Sequence, residues 1–399
     1  MTTLISLLGK NKADPQTGYR KAHYCFEPGF SRTVSFFGLA LLEYTKPDRL
    51  ILAGTAGSMW DVFFEHQHTD DEATLALMDA VEKEAVTAQM LAIHEQRLSE
   101  KLGIPVQCLL ISYARNEAEQ TAILTDLAAN LQPNEKIILD VTHGFRHLPM
   151  LALVAARYLA RVRGVQVQEI YYGALEMTDP ANGQTPVLRL SAMLHMLDWV
   201  DALAVYEHSG NYGVFAPLLE KDGMQADRAN LLAQGAYFER NGNPVQAKQA
   251  LSGAHNHVRG HQGPLGQLFK DTLSEHIGWF RQGSRADWEL ALADRYLARQ
   301  DYLRAITYLH ESFVSHAVWN ARGNPNDYAE RDSARKSVGR NTDAQLLAEL
   351  RNAIVHGVRS TRAHMSVEQK HRAKEVESLL SDQQKLGEKL RELRKQLFR

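Results

Sequence analysis

The pattern of hydrophobic and polar positions changes about halfway along the chain. Up to about Arg189, short apolar runs alternate with longer amphipathic stretches. Leu4–Leu8, Leu50–Ala53, Val106–Ser112, Lys136–Val141 and Val165–Tyr172 are rich in Val, Ile and Leu, which predicts buried strands. Between them, Ser31–Tyr44 with Ser31 as its cap, about Asp71–Leu102, Glu117–Leu131 and about His147–Arg163 read as helices. Pro149 is tolerated in a first helical turn, where its missing N–H would have no partner. This alternation predicts a mainly parallel, Rossmann-like α/β sheet covered on both faces. From Leu194 onward only helical periodicity remains, interrupted by loops such as Gly253–Gly266. Val367–Phe398 reads as one long charged helix, with Leu379, Leu386, Leu390, Leu393 and Leu397 along one side. The expected organisation is an α/β domain over 1–192 and an all-helical domain over 193–399.

Composition narrows the function classes. The chain has 399 residues, 44% of them apolar, and a formal net charge of −2. Two ordinary cores are possible, but a general nucleic-acid coat is not, so any polyanion must meet a local basic site. The tail from Arg359 carries eleven Lys or Arg against six Asp or Glu. It is expected to pack on its own domain with a solvated outer face, and use by RNA or a partner helix stays open. The two cysteines, Cys25 and Cys108, cannot form a disulfide framework, which suits a reducing cytosol. The first residues read as a strand and not as a signal peptide. No apolar run approaches the length of a membrane span.

The sharpest N-terminal feature is the string Asp140-Val-Thr-His-Gly-Phe-Arg-His-Leu-Pro149. A buried strand ends in a tight polar loop that opens into a helix. Ligands of open parallel sheets bind beyond the carboxyl ends of strands, and a helix N-terminus offers free N–H groups to phosphate. Gly144 allows close backbone approach, Thr142 adds a hydroxyl, and Arg146 adds a fork of donors. Gly9-Lys10-Asn11 and Gly54-Thr-Ala-Gly-Ser58 end two other strands with similar chemistry. Together the three loops point to a phosphate-bearing ligand. None has the spacing of a dinucleotide fingerprint or a P-loop.

The second feature is Leu346-Leu-Ala-Glu-Leu-Arg-Asn-Ala-Ile-Val-His-Gly357. On a helix, Leu346, Leu347, Leu350, Ala353, Ile354 and Val358 share an apolar face. Asn352 and His356 share a ridge opposite it, with Arg351 at the flank. Gly357 is a natural terminator. A His can transfer protons at a ribose hydroxyl or leaving oxygen, and an Arg can stabilise charge on phosphorus.

Both motifs resemble known families. The Asp140–Pro149 string, with the opening Leu7-Leu-Gly-Lys10, resembles the CARF sensor domains of type III CRISPR ancillary proteins, in the Csx-like branch, over about residues 1–190. The Leu-Arg-Asn-x-x-x-His-Gly string resembles the signature of HEPN ribonucleases, as do Trp199–Ala202 and the helix around Glu311. The resemblance implies a homodimer, with a higher oligomer left open, that binds cyclic oligoadenylate, foremost tetra-adenylate, as an allosteric activator. It implies cleavage of single-stranded RNA without a metal or other cofactor, leaving 2′,3′-cyclic phosphate ends. Arg351, Asn352 and His356 would then be catalytic, with Glu311 in support. Gly9, Lys10, Asn11, Thr142, His143, Gly144 and Arg146 would line the ligand pocket, with Ser58 and Trp60 as further members. The rival expectations are a CARF regulator without nuclease activity and a protein that also degrades its activator. His66, His68, Asp70 and Asp71, and separately His255, His257 and His261, lack a recognised metal-ligand spacing.

Overall fold

The strands Thr2–Leu8 (β1) and Lys136–Asp140 (β6) lie side by side inside an eight-stranded sheet. The other strands are Ala22–Phe26 (β2), Phe30–Val34 (β3), Arg49–Gly54 (β4), Val106–Leu110 (β5), Gln166–Gly173 (β7) and Gln184–Arg189 (β8). Their order is β3-β2-β8-β7-β6-β1-β4-β5. The five strands β7, β6, β1, β4 and β5 are mutually parallel; β8 is antiparallel to β7, and β3 to β2. This computed structural model describes residues 1–10, 21–27, 29–65, 72–144, 147–281, 283–338, 341–357 and 365–398. The chain divides into two units, Met1–His195 and Met196–Arg399.

Strand side chains alternate between faces, so each central strand feeds two cores. Leu4, Leu8, Leu50 and Leu52 join the helices Phe37–Thr45, Trp60–Glu65, Glu72–Glu82 and Ala88–Leu102. Ile5, Leu7, Ile51 and Ala53 join Glu117–Ala129 and His147–Val162 on the other face. The expected mainly parallel sheet with helices on both faces is the one observed.

The second unit is built from helices and short helical turns, with no strand among the described residues. Trp199, Tyr212, Tyr296, Tyr308, Leu347, Leu350 and Leu390 are fully buried in one core. Within it the buried carboxylate of Glu239 accepts hydrogen bonds from Trp279 Nε1 at 2.9 Å and Tyr296 OH at 3.0 Å. Among the described residues no helix is long and apolar enough to cross a membrane.

Several local expectations are corrected. Ser31 does not cap a helix: it lies in β3 opposite Cys25, and the helix starts only at Phe37. The residues Ser31–Val34 gain more from pairing antiparallel with the preceding strand β2 than from local helical propensity. The stretch 71–102 is two helices, and Thr87 caps the second by accepting from Met90 N. Gly253 begins no loop, because Pro244–Arg259 is a continuous helix burying Ala250, Leu251, Ala254 and Val258 on one face. The charged tail breaks at Ser381–Asp382, where Asp382 caps the helix Gln383–Leu397 by accepting from Gln384 N and Lys385 N. Leu386, Leu390 and Leu393 are buried, so this helix packs on its own unit.

Candidate functional sites

In the first unit, the chain adds β4 and β5 on one side of β1, and β6 and β7 on the other. Strand order therefore reverses between β1 and β6, the place where open α/β sheets bind ligands. Gly9 follows β1, and Thr142–Gly144 follow β6. A Cβ placed on Gly9 would lie only 2.3 Å from Gly144 N, and Gly144 adopts φ +112°, which favours glycine. The two loops thus pack backbone against backbone.

The neighbouring side chains hold this junction. Asp140 is buried and accepts hydrogen bonds from Ser6 Oγ at 2.6 Å and Thr142 N at 2.9 Å. Thr142 Oγ1 accepts from Gly173 N at 2.8 Å, tying β6 to β7. His143 Nε2 accepts from Phe37 N at 3.1 Å, so that nitrogen carries no proton. Burial pushes the Asp140 carboxyl up and the His143 imidazole down from their ordinary values.

Lys10 is half-exposed, and its Nζ lies 2.8 Å from Glu84 Oε1. The other Glu84 oxygen accepts from Tyr113 OH at 3.1 Å. The hydrogen bond to Glu84 raises the Lys10 pKa, and the same bond lowers that of Glu84. Glu84 and Tyr113 were not among the expected site residues. The helical stretch expected over 71–102 runs straight through Glu84, so nothing in the sequence marks this residue as a partner of Lys10.

Ser58 and Trp60, expected as further pocket members, are buried and hydrogen-bonded within the protein. Ser58 is 2% exposed, and its Oγ donates to Leu8 O at 2.8 Å while accepting from Thr55 N at 2.9 Å. Trp60 is fully buried, with Nε1 donating to Thr55 O at 2.8 Å. Both brace the third loop against the first, where Met59 N donates to Gly9 O at 2.9 Å. Asn11 and Arg146 lie outside the described residues, as do His66–Asp71. The structure therefore brings together Gly9, Thr142, His143 and Gly144.

In the second unit, the motif helix runs Thr342–His356. Asn341 caps it, accepting from Asp343 N at 2.9 Å and Ala344 N at 3.0 Å. Gly357, at φ +83°, ends it. Leu346, Leu347 and Leu350 are buried, and Ala353 and Ile354 pack against the same core. Asn352 and His356 are exposed, one turn apart; Val358 lies outside the described residues.

Arg351 NH1 donates to Asn352 Oδ1 at 2.9 Å, and its NH2 lies 3.8 Å from Glu311 Oε1. Glu311, on the helix Tyr302–Asn320, also accepts from Arg331 NH2 at 2.6 Å and Arg335 NH2 at 2.9 Å. Burial pushes the Glu311 carboxyl up, but hydrogen bonds from His310 and Arg331 and the charge of Arg335 outweigh it. The group is held well below the usual carboxylate range. A second buried acid, Glu289, accepts from Arg285 Nε at 2.8 Å and Ser315 Oγ at 2.5 Å. Arg331 and Arg335 have no spacing signal in sequence, because they join the motif only through Glu311.

Known proteins match the first unit, and one of the matches extends beyond it. The family model described as "CRISPR system endoribonuclease Csx1, CARF domain" matches residues 3–176. A CRISPR-associated protein of Methanocaldococcus jannaschii is 26% identical over 246 residues, covering 56% of this chain and 39% of that protein. The chain thus spans about two fifths of that relative's length. Taken with the switch point between β1 and β6, these matches identify the N-terminal unit as a CARF domain similar to those of CRISPR-associated proteins.

Proposed function

We propose that this protein is a cytoplasmic endoribonuclease of type III CRISPR defence, activated by cyclic oligoadenylate and cutting single-stranded RNA without a metal. The observation that carries this reading is the arrangement around the motif helix. Arg351 is tethered to Glu311 and Asn352, while Asn352 and His356 stand exposed on one ridge. In the proposed reaction, the ribose 2′-oxygen attacks phosphorus and the bond to the 5′-oxygen breaks. His356 moves a proton from the nucleophile or to the leaving oxygen. Arg351 stabilises the charge on phosphorus, and Asn352 orients the phosphate. The product end is a 2′,3′-cyclic phosphate, so the bond exchange consumes no water and no metal. Glu311 is a positioning residue, because it acts through Arg351.

The ligand site is assigned to the junction of Gly9, Thr142, His143 and Gly144, with Lys10 at its edge and Asn11 and Arg146 as further members. Its activator, foremost cyclic tetra-adenylate, must bind the cleavage-competent state more tightly than the resting one. A homodimer is supported by the helix His147–Val162, which starts just beyond this loop. Met150, Val154, Tyr158 and Val162 recur every four residues on it, and all are exposed.

The test is cleavage of a labelled single-stranded RNA with and without cyclic tri-, tetra- and hexa-adenylate, in EDTA. The expected result is activator-dependent cleavage with 2′,3′-cyclic phosphate ends, absent in His356→Ala. Strict dependence on Mg²⁺ or Mn²⁺, or full activity in His356→Ala, would refute the active site. Cleavage indifferent to every ring size would refute the sensor assignment.

A further inference from the structure

The helical unit also contains a cleft of roughly 560 Å³. Its walls come from the helices Pro244–Arg259, Gly266–Ile277 and Arg285–Ala298 and from the turn Gly278–Arg281. Two polar residues of low exposure line it, and one of them, Ser274, has a buried side-chain oxygen without a partner. Ser274 is 9% exposed, and its Oγ has no hydrogen-bond partner. His255 is 5% exposed; its ring meets Phe280 edge-on at 6.0 Å, and its nitrogens make no hydrogen bond among the described residues. The exposed guanidinium groups of Arg259 and Arg281 also line the cleft and make no ion pair among the described residues. Trp279, anchored by its indole N–H on Glu239 Oε2 at 2.9 Å, forms a rigid apolar wall.

Buried polar atoms without partners are few in native proteins, and each calls for an explanation. A bound anion supplies one here. Three guanidinium groups, of which Arg295 also donates to the carbonyl of His276, a hydroxyl and an imidazole line one cleft, and the arginine fork matches phosphate oxygens. Asp271 and Glu275, on the same wall, can accept hydrogen bonds from sugar hydroxyls. The volume falls within the range of small-ligand sites.

We propose that this cleft is a second phosphate-binding site, which takes the phosphate of a nucleotide, either free or within a single strand. The test is calorimetric titration of the full chain with AMP, with adenosine, and with a short single-stranded DNA oligomer, which lacks the 2′-hydroxyl and cannot be cut. At least one of the two phosphate-bearing probes is expected to bind. Adenosine should bind at least about tenfold more weakly, and the double variant Arg259→Gln/Arg281→Gln should lose about a hundredfold, from two charge-assisted hydrogen bonds. Tight AMP binding identifies a free nucleotide; binding of the oligomer alone identifies a strand. Ser274→Ala should weaken binding severalfold while leaving the melting temperature unchanged or raised, since it removes a buried hydroxyl without a partner. If adenosine matches AMP, or the double variant binds both phosphate probes as the wild type does, the proposal is overturned. Binding is read directly, so a chain inactive on RNA leaves it standing, and cleavage by the double variant bears only on the nuclease reading.

Discussion

The guanidinium of Arg351 lies 3.8 Å from Glu311, a carboxylate already held by Arg331 at 2.6 Å and Arg335 at 2.9 Å. The residue assigned to phosphate chemistry is thus attached to a buried charge network and not left to solvent. Glu311→Gln should therefore act in two ways. It removes the nearer carboxylate from buried Arg331, which keeps Glu289 at 3.9 Å, and breaking a buried pair typically costs about 3–5 kcal/mol. Its folded carboxyl sits below the ordinary value of 4.5, so its contribution is present above that pH and lost as the pH falls. Acid titration of stability should show a shallower loss below about pH 4.5 in Glu311→Gln than in the wild type. An identical acid limb would mean that Glu311 is not held as described.

Arg351→Ala and His356→Ala should each abolish RNA cleavage while leaving the fold and activator binding intact. Arg351 is only part-buried and His356 exposed, and neither belongs to the apolar face of the motif helix. Circular dichroism melting and a cleavage assay check this together. A large drop in melting temperature would reassign these residues to stability.

The Gly9–Gly144 contact leaves no room for a methyl group. Gly9→Ala must move the Gly144 loop, at a cost of about 1–3 kcal/mol, as for overpacking elsewhere. Because the same loops form the proposed ligand junction, activator affinity should fall together with stability. Wild-type melting and wild-type affinity in Gly9→Ala would place the ligand elsewhere.

Lys10 cannot bind a phosphate without competing with Glu84. Lys10→Gln should weaken activator binding about tenfold, the loss of one charge-assisted hydrogen bond. Glu84→Gln should tighten it, more so at low salt, where the competing attraction is least screened. Equal affinity in wild type and both variants would remove Lys10 from the site.

The stripe Met150, Val154, Tyr158 and Val162 should lie between two copies of the chain. Val154→Asp should shift a dimer to monomer in sedimentation analysis without unfolding it, since Val154 is 56% exposed. Unchanged sedimentation would put any dimer contact on another surface.

Much of this protein was determined by its sequence alone. The runs of β1, β4 and β6 are apolar on both faces, which only a sheet covered on both sides accommodates. The motif helix carries its own start and stop in Asn341 and Gly357, so its exposed ridge of Asn352 and His356 follows from helical spacing. Tertiary structure decided the rest. Phe30–Val34 became a strand because β2 was there to pair with it. Ser58 and Trp60 turned inward because the carbonyls of Leu8 and Thr55 were there to accept from them. Glu311 met Arg351 across forty positions of sequence, and Arg331 and Arg335 joined through it. Helical and strand periods are local properties of a chain, whereas the partner of a buried polar group is whatever the folded backbone brings within hydrogen-bond reach.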